Sequence, residues 1–337
     1  MIVFFGTYLS KFNGTKGPSE FIASELGNAD YVRLVSKSKQ PLIRLYQSLV
    51  VALFQKMELA VLDVYSTRVI YQTAIVAAIL KIRKIKYVSV LHGGGLIQAF
   101  PNRRKIITYL LQQSAQVVTP SKMLQSFFKA QKFNIDYLPN PIQHRLFPYK
   151  QRDFISNSPK LLWVRAFGEI YQPTIAIEAL HHLHQQQMNA TLTMVGPDLG
   201  LMAKMRILVE QLGLTKFVSF VGQCPQDQLY TYMHQSDLLL NTTKYESFGL
   251  AVAEAAATGL PCISTKVGEL PNIWIDNVSI FFVEATPVAF SKKIIEICSN
   301  NQMYLKTTSN CYQNSQLFAS SSIIANWKNI TTTLKHN

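Results

Sequence analysis

Acidic residues are scarce in the first half of this 337-residue chain, and cysteine is absent from its first 223 positions. Cys224, Cys262, Cys298 and Cys311 are widely spaced and form no C-x-x-C pair. That excludes a disulfide framework, gives no support to a metal site, and predicts reduced thiols in a cytosolic setting. No stretch approaches the roughly 20 apolar residues of a membrane span; the best, residues 73–80, is too short. MIVFFGTYL has no basic leader before its apolar run, so it is read as a first strand rather than a signal peptide. With 48% apolar and only 15% charged residues, disorder is excluded. The length suffices for two α/β domains of about 150 residues each.

The charge that is present is one-sided. Residues 1–150 hold 20 Lys and Arg against 6 Asp and Glu, while residues 151–337 hold 13 of each. A positive field confined to one half suits an anionic membrane surface, an acidic acceptor or nucleic acid. Lys81, Arg83, Lys84 and Lys86, with Arg103, Arg104 and Lys105, contribute much of it. No nucleic-acid motif and no basic run interleaved with stacking aromatics accompanies them, so no nucleic-acid partner is expected.

Short apolar runs alternate with helical patterns throughout, as expected of parallel sheets with crossovers. Strands are predicted at 2–5, 31–35, 60–64, 87–91, 116–119 and 136–138, then at 161–164, 190–195, 217–221, 237–240, 262–264 and 279–283. Residues 41–57 place Leu42, Leu45, Tyr46, Leu49, Val50 and Leu53 along one stripe, which predicts a helix facing the core. His181, His182 and His184 are expected on a solvated helix face.

Several residues fall at strand ends, where open α/β folds bind ligands. YVSVL runs into His92, Gly93, Gly94 and Gly95, and LLWV runs into Arg165, whose guanidinium can clamp a diphosphate with parallel bonds. HGGG also occurs in the oxyanion loop of lipases, but the G-x-S-x-G elbow that reading needs is absent. Gly14 and Gly17 flank Lys16 in a loop that does not satisfy the P-loop pattern.

The most informative stretch is NTTKYESFGLAVAEAAA, residues 241–257. A polar loop turns helical at Phe248 or Gly249, so a loop delivers Glu246 and a helix delivers Glu254. The first amides of that helix favour an anion, and a glycine at its start admits a ligand to the backbone. Glu246 and Glu254, with SFGLAVA between and AAATGLPCIST after, resemble the E-x7-E signature of glycosyltransferase family 4.

That resemblance implies an α/β GT-B fold, with two Rossmann-like domains facing a central cleft and a C-terminal helix crossing back to the N-terminal domain. The implied divisions are an acceptor domain at 1–150, a nucleotide-sugar domain at 151–310 and the returning helix at 311–337. It further implies a retaining transferase that moves a sugar from a nucleotide-diphosphate donor to a saccharide or lipid-linked acceptor in cell-envelope or exopolysaccharide synthesis. Glu246 would face the donor sugar, Glu254 hold the ribose, and His92 lie near the reacting face. Arg165, Gly196, Gly222, Phe248, Gly249 and Leu250 would line the donor site, and Gly14, Lys16 and Gly17 would approach the phosphates. The family has a Lys about five residues after the Arg, where this chain has Ile170, Tyr171 and Gln172. Lys244 or Lys16 would then supply the missing cation. No D-x-D occurs, so no metal and no other cofactor is expected. The implied location is cytoplasmic, peripheral on the inner membrane face through the basic N-terminal domain. A sugar-nucleotide epimerase or phosphorylase of the same fold, and a non-enzymatic module for anionic lipid, remain the alternatives.

Overall fold

A computed structural model describes residues 1–8, 16–27, 31–93 and 95–336. Gly14, one of the phosphate-loop candidates, lies outside them, as does Gly94. The chain divides into two compact units, Met1–Pro141 with Ser320–Asn337, and Ile142–Ala319. The divisions expected at 150 and 310 fall inside the second unit. Residues 142–159 join that unit because Phe147 and Ile155 are buried in it and the buried Arg152 donates to the carbonyls of Met233 and Ser236.

The first unit contains β1 (Ile2–Phe5), α1 (Pro18–Leu26), β2 (Val32–Val35), α2 (Pro41–Phe54), β3 (Leu59–Val64) and α3 (Val69–Ile82). It continues with β4 (Lys86–Leu91), α4 (Gly95–Gln113), β5 (Gln116–Thr119), α5 (Lys122–Ala130) and β6 (Asp136–Tyr137). Its sheet has the order β2-β1-β3-β4-β5-β6, with every pair parallel. β1 and β3 are buried along their whole length, which explains their apolar sequences, broken only by Asp63 of β3: a strand covered by helices on both faces has no solvent side to make polar.

The second unit contains β7 (Lys160–Val164), α6 (Pro173–Gln185), β8 (Thr191–Val195), α7 (Met202–Gln211), β9 (Val218–Gly222) and α8 (Gln226–Gln235). Then come β10 (Leu238–Asn241), α9 (Leu250–Ala257), β11 (Cys262–Thr265), α10 (Leu270–Ile273), β12 (Phe281–Val283), α11 (Pro287–Cys298) and α12 (Asn301–Ser315). The order is β12-β11-β10-β7-β8-β9, again all parallel. The last helix, α13 (Ser320–His336), belongs to the first unit, where Ile323, Ile324 and Trp327 pack on the sheet face that carries Phe4 and Val61. Each predicted strand is present, and the ends differ by a residue or two.

Two helices depart from expectation. α2 buries only Ser48, Val51 and Ala52, while Leu42, Tyr46, Leu53 and Phe54 are exposed, so the apolar stripe faces away from the core. The inward face is small because it serves close packing and hydrogen bonding: Ser48 bonds both Ser36 and Gln72, the latter on α3. On α6 the histidines are half-buried rather than solvated, and His184 reaches the carbonyl of Ala190 at 2.8 Å and packs tilted against the Phe217 ring. Part of the basic cluster is also committed internally. Arg83 donates to the carbonyls of Ala52 and Gln55, closing the C-terminal end of α2, and Arg103 donates to those of Ser66 and Thr67. Among the described residues no helix is long and apolar enough to cross a membrane.

Candidate functional site

Each sheet has one place where the chain reverses its direction of winding, and crevices open there at the carboxyl ends of the strands. In the second unit that place lies between β7 and β10. Arg165 follows β7 directly, and the loop after β10 carries Glu246; the two side chains form a half-buried ion pair. The loop is fixed by its hydroxyls. Thr242 donates to the Tyr171 carbonyl at 2.6 Å and accepts from the Trp163 indole at 3.0 Å. Thr243 donates to the carbonyl of Ile170 at 3.2 Å, and Thr265 donates to that of Thr243 at 2.6 Å. The Asn/Thr composition that marked this segment as a loop is therefore what pins it.

Arg165 is held from below. Its own N–H donates to Val195, and a Cβ at Gly196 would stand 1.7 Å from its carbonyl oxygen, so only glycine lets the ends of β7 and β8 approach this closely. The Gly196 N–H in turn donates to the Gly222 carbonyl at 2.8 Å. Arg165, Gly196 and Gly222 thus form one continuous strand-end floor. The Arg165 Nε–H is buried and has no acceptor among the described residues. A guanidinium with one donor unused is costly in a protein at rest and suited to an incoming anion.

Glu254 lies on α9, buried, with Gln226 donating to its Oε1 at 3.0 Å. Burial pushes its carboxyl up to about 7, against the lowering effects of the Gln226 bond and the nearby Arg165 charge. Arg165 therefore pairs with Glu246, and its charge also acts on Glu254. α9 begins at Leu250, with Gly249 as its cap at φ +88°, and its first amides have no acceptor within the helix. The space a Cβ would need at Gly249 is filled by Leu270, 2.5 Å away, so this glycine serves a left-handed turn and packing rather than ligand approach. The Phe248 side chain likewise packs inward. Its ring is buried edge-on against Phe318 in the core, while Leu250 is half-buried.

Lys244 is exposed, and its backbone N–H donates to the Ile170 carbonyl at 2.8 Å. This joins the lysine to the 170–172 segment that carries none. Lys16, by contrast, precedes α1 and donates to Ser24 on that helix at 3.4 Å. Gly17 caps that helix at φ −70°, its N–H donating to Glu20 at 3.1 Å, so its role there is one any residue could fill. Gly268 and Glu269 close over the Glu246 backbone, with the Glu269 N–H on the Glu246 carbonyl at 3.0 Å.

In the first unit the reversal lies between β1 and β3. Asp63, near the end of β3, accepts from Ser19 at 2.7 Å, and its Oδ1 lies 2.9 Å from Nε2 of His92, which follows β4. Tyr65 stacks on the His92 ring with centroids 5.0 Å apart. Asp63 Oδ2 and the Tyr8 hydroxyl are buried close together beside Gly6, where a Cβ would meet both, and neither has a hydrogen-bond partner among the described residues. Burial first, and the Asp63 charge second, raise the Tyr8 phenol well above its ordinary range; the same two causes raise that of Tyr65. Sequence reasoning found His92 but missed Asp63, Ser19, Tyr8 and Tyr65. The available signal was Asp63 itself, a lone acid in the otherwise apolar strand LAVLDV.

A family model described as glycosyl transferases group 1 matches residues 149–317. The chain belongs to this family. The matched span of this group 1 glycosyl transferase holds Arg165, Gly196, Gly222, Lys244, Glu246 and Glu254, and leaves His92 outside it. The chain is 30% identical over 205 residues to N-acetyl-alpha-D-glucosaminyl L-malate synthase of Bacillus anthracis, a match covering 56% of this chain and 52% of that protein. It is 26% identical over 213 residues to the amylovoran biosynthesis glycosyltransferase AmsK of Erwinia amylovora, covering 59% and 52%. It thus spans about half the length of the curated relatives it matches. Among solved structures it is similar to sucrose-phosphate synthase from Thermosynechococcus elongatus, with a TM-score of 0.78 at 17% identity over 99% of this chain and 98% of that one. It is also similar to Anabaena HepE in complex with UDP and glucose, with a TM-score of 0.75 at 17% identity over 98% and 99%. These likenesses show the fold, that of the GT-B glycosyltransferases with its two Rossmann-like units.

Proposed function

We propose that the chain is a retaining glycosyltransferase of family 4 type, carrying the E-x7-E pair as Glu246 and Glu254, and that it moves a sugar from a nucleotide diphosphate to a saccharide or lipid-linked acceptor. The observation that carries this reading is the Arg165 guanidinium at the switch point of the second sheet, bound to Glu246 with its buried Nε–H unused. The diphosphate takes that donor. Lys244 stands in for the absent family lysine, since its backbone is tied to Ile170. The first amides of α9 add partial positive charge, and no metal is needed. Glu254 accepts from ribose hydroxyls, and Glu246, released in part from Arg165, accepts from hydroxyls of the donor sugar.

In the transfer, the bond between the anomeric carbon and the β-phosphate oxygen breaks with its electrons going to the diphosphate. The acceptor oxygen bonds to the anomeric carbon on the same face, and its proton passes to the departing phosphate. Arg165 and Lys244 stabilise the charge that develops there. His92, held by Asp63 and Tyr65, orients the acceptor hydroxyl. With Nε2 donating to Asp63, Nδ1 is left as an acceptor. The similarity to a glycosyltransferase of amylovoran biosynthesis supports a place in envelope or exopolysaccharide synthesis.

The test is a thermal-shift screen with UDP, GDP and ADP, in which a ligand at 100 times its dissociation constant adds about 2.7 kcal/mol. It is followed by NMR of the anomeric configuration of product made from the matching donor. No stabilisation by any of the three nucleotides refutes the donor site, and an inverted anomeric centre refutes retention. Sugar isomerised without acceptor would make the protein an epimerase.

A further inference from the structure

Transfer chemistry leaves unused a cavity of about 650 Å³ at the other end of the second unit's sheet. Lys160 and Asp237, at the starts of β7 and β10, line it, whereas Arg165 and Glu246 follow the far ends of those strands. Along the five-residue β7 the separation is about 16 Å. The two lining residues are locked together: the Lys160 N–H donates to the Asp237 carboxylate at 2.8 Å, and the Asp237 N–H to the Lys160 carbonyl at 2.7 Å. Rings, hydroxyls and cations meet on the wall. Phe154 is 68% exposed, Tyr230 packs edge-on against His234 with centroids 5.4 Å apart, and Ser156 and Ser158 stand with them.

The Lys160 ammonium has no partner among the described residues, and the Lys150 ammonium gives one of its three N–H donors to the His234 carbonyl at 2.6 Å. With Arg152 on the carbonyls of Met233 and Ser236, that bond neutralises the negative end of α8, so the helix does not repel an anion here. Two ammonium groups thus face one carboxylate. A bare phosphate would leave the rings uncovered, and a neutral apolar ligand would leave Lys160 unpaired. A pyranose with a negative group meets both, and the volume lies within the roughly 300–1,000 Å³ of small-molecule sites. α8 joins this cavity to the donor site: its later turns supply Tyr230 and His234, and Gln226 in its first turn donates to Glu254 at 3.0 Å. A second link is the Lys150 N–H, which donates at 3.1 Å to the carbonyl of Thr258, the residue that ends the helix carrying Glu254. We propose that the cavity binds a saccharide carrying a phosphate or carboxylate, and that its occupation strengthens nucleotide binding by holding α8 and Gln226 in place. The binding stands apart from the donor reading above, and the coupling rests on it.

The experiment is isothermal titration of the full chain with glucose 6-phosphate and with hexagalacturonate, against glucose and inorganic phosphate as controls, each with and without saturating UDP. At least one anionic saccharide should bind about tenfold or more tightly than either control; glucose 6-phosphate marks a free sugar phosphate, and hexagalacturonate a stretch of acidic glycan. Lys160→Ala should weaken that binding about tenfold, the worth of a charge-assisted hydrogen bond, and Phe154→Ser severalfold. Both should keep the wild-type melting temperature, because both side chains are exposed. UDP should tighten the saccharide by about fivefold or more, and the saccharide should tighten UDP by the same factor. Gln226→Ala should keep the saccharide and lose this coupling. Saccharides that bind no better than the controls, or Lys160 and Phe154 variants that bind as wild type, overturn the site. Mutual weakening of UDP and saccharide places the saccharide in the donor site and overturns it as well. Saccharide binding indifferent to UDP, in a protein that does bind UDP, overturns the coupling. A protein that binds the saccharide and no UDP refutes the donor reading instead and leaves the cavity assigned.

Discussion

Replacing Glu254 by Gln should flatten the pH dependence of stability and weaken nucleotide binding together. The wild-type carboxyl is pushed up to about 7 by burial, from an ordinary 4.5. The native state therefore holds a proton that the unfolded chain releases between those values. Stability is full below about pH 4.5, falls as pH rises toward about 7, and stays reduced above it. At about 1.4 kcal/mol per pH unit, the gap amounts to about 3 kcal/mol. Gln is neutral throughout, keeps the shape, and can still meet Gln226. At about pH 8 the variant should unfold higher than wild type by roughly 6–12 °C in the transition of the second unit, given about 2–4 °C per kcal/mol for a domain of that size. Near pH 4.5 the two should converge. The assay is scanning calorimetry of the full chain across that window. If Glu254 accepts ribose hydroxyls, the same change should cost roughly tenfold or more in UDP affinity above pH 7, where the carboxylate is charged. Parallel melting profiles for the two proteins across the window would refute the burial argument. An unchanged UDP affinity would refute the ribose contact.

Other perturbations probe the remaining parts. Lys244→Ala should weaken UDP binding by about 10-fold or more, the worth of a charge-assisted hydrogen bond, whereas Lys16→Ala should leave it unchanged; isothermal titration of both variants checks this, and the reverse order would assign the cation to the first unit. Asp63→Asn frees His92 from its fixed tautomer and should lower kcat by roughly 100-fold with UDP affinity intact, measured as initial rates across pH; a wild-type profile would show that the pair is structural. Gly268→Ala places a Cβ 1.8 Å from the Glu246 carbonyl oxygen in a left-handed backbone, and should cost about 1–3 kcal/mol and displace Glu246 from Arg165. Urea denaturation with a UDP titration reads both effects, and unchanged values in each would remove the argument.

The sequence determined the repeating pattern and its local products. Short apolar runs between helical periods marked the strands seen among the described residues, since a strand buried on both faces is mostly apolar. The loop-to-helix change near Gly249 and the strand-end positions of Arg165 and His92 were legible for the same reason: backbone preference and burial period act over a few neighbours. Tertiary structure decided what those elements face. α2 has a clear stripe, but a stripe only says that one side differs, and the close packing of Ser48 against Ser36 and Gln72 turned the apolar side outward. Phe248 looked like a ligand contact and is core, because Phe318 closes on it from far along the chain. The pairing of Arg165 with Glu246, and of Asp63 with His92, spans 81 and 29 residues. Such pairs are brought together only by strand order, which sets which strand ends become neighbours and which no local pattern encodes.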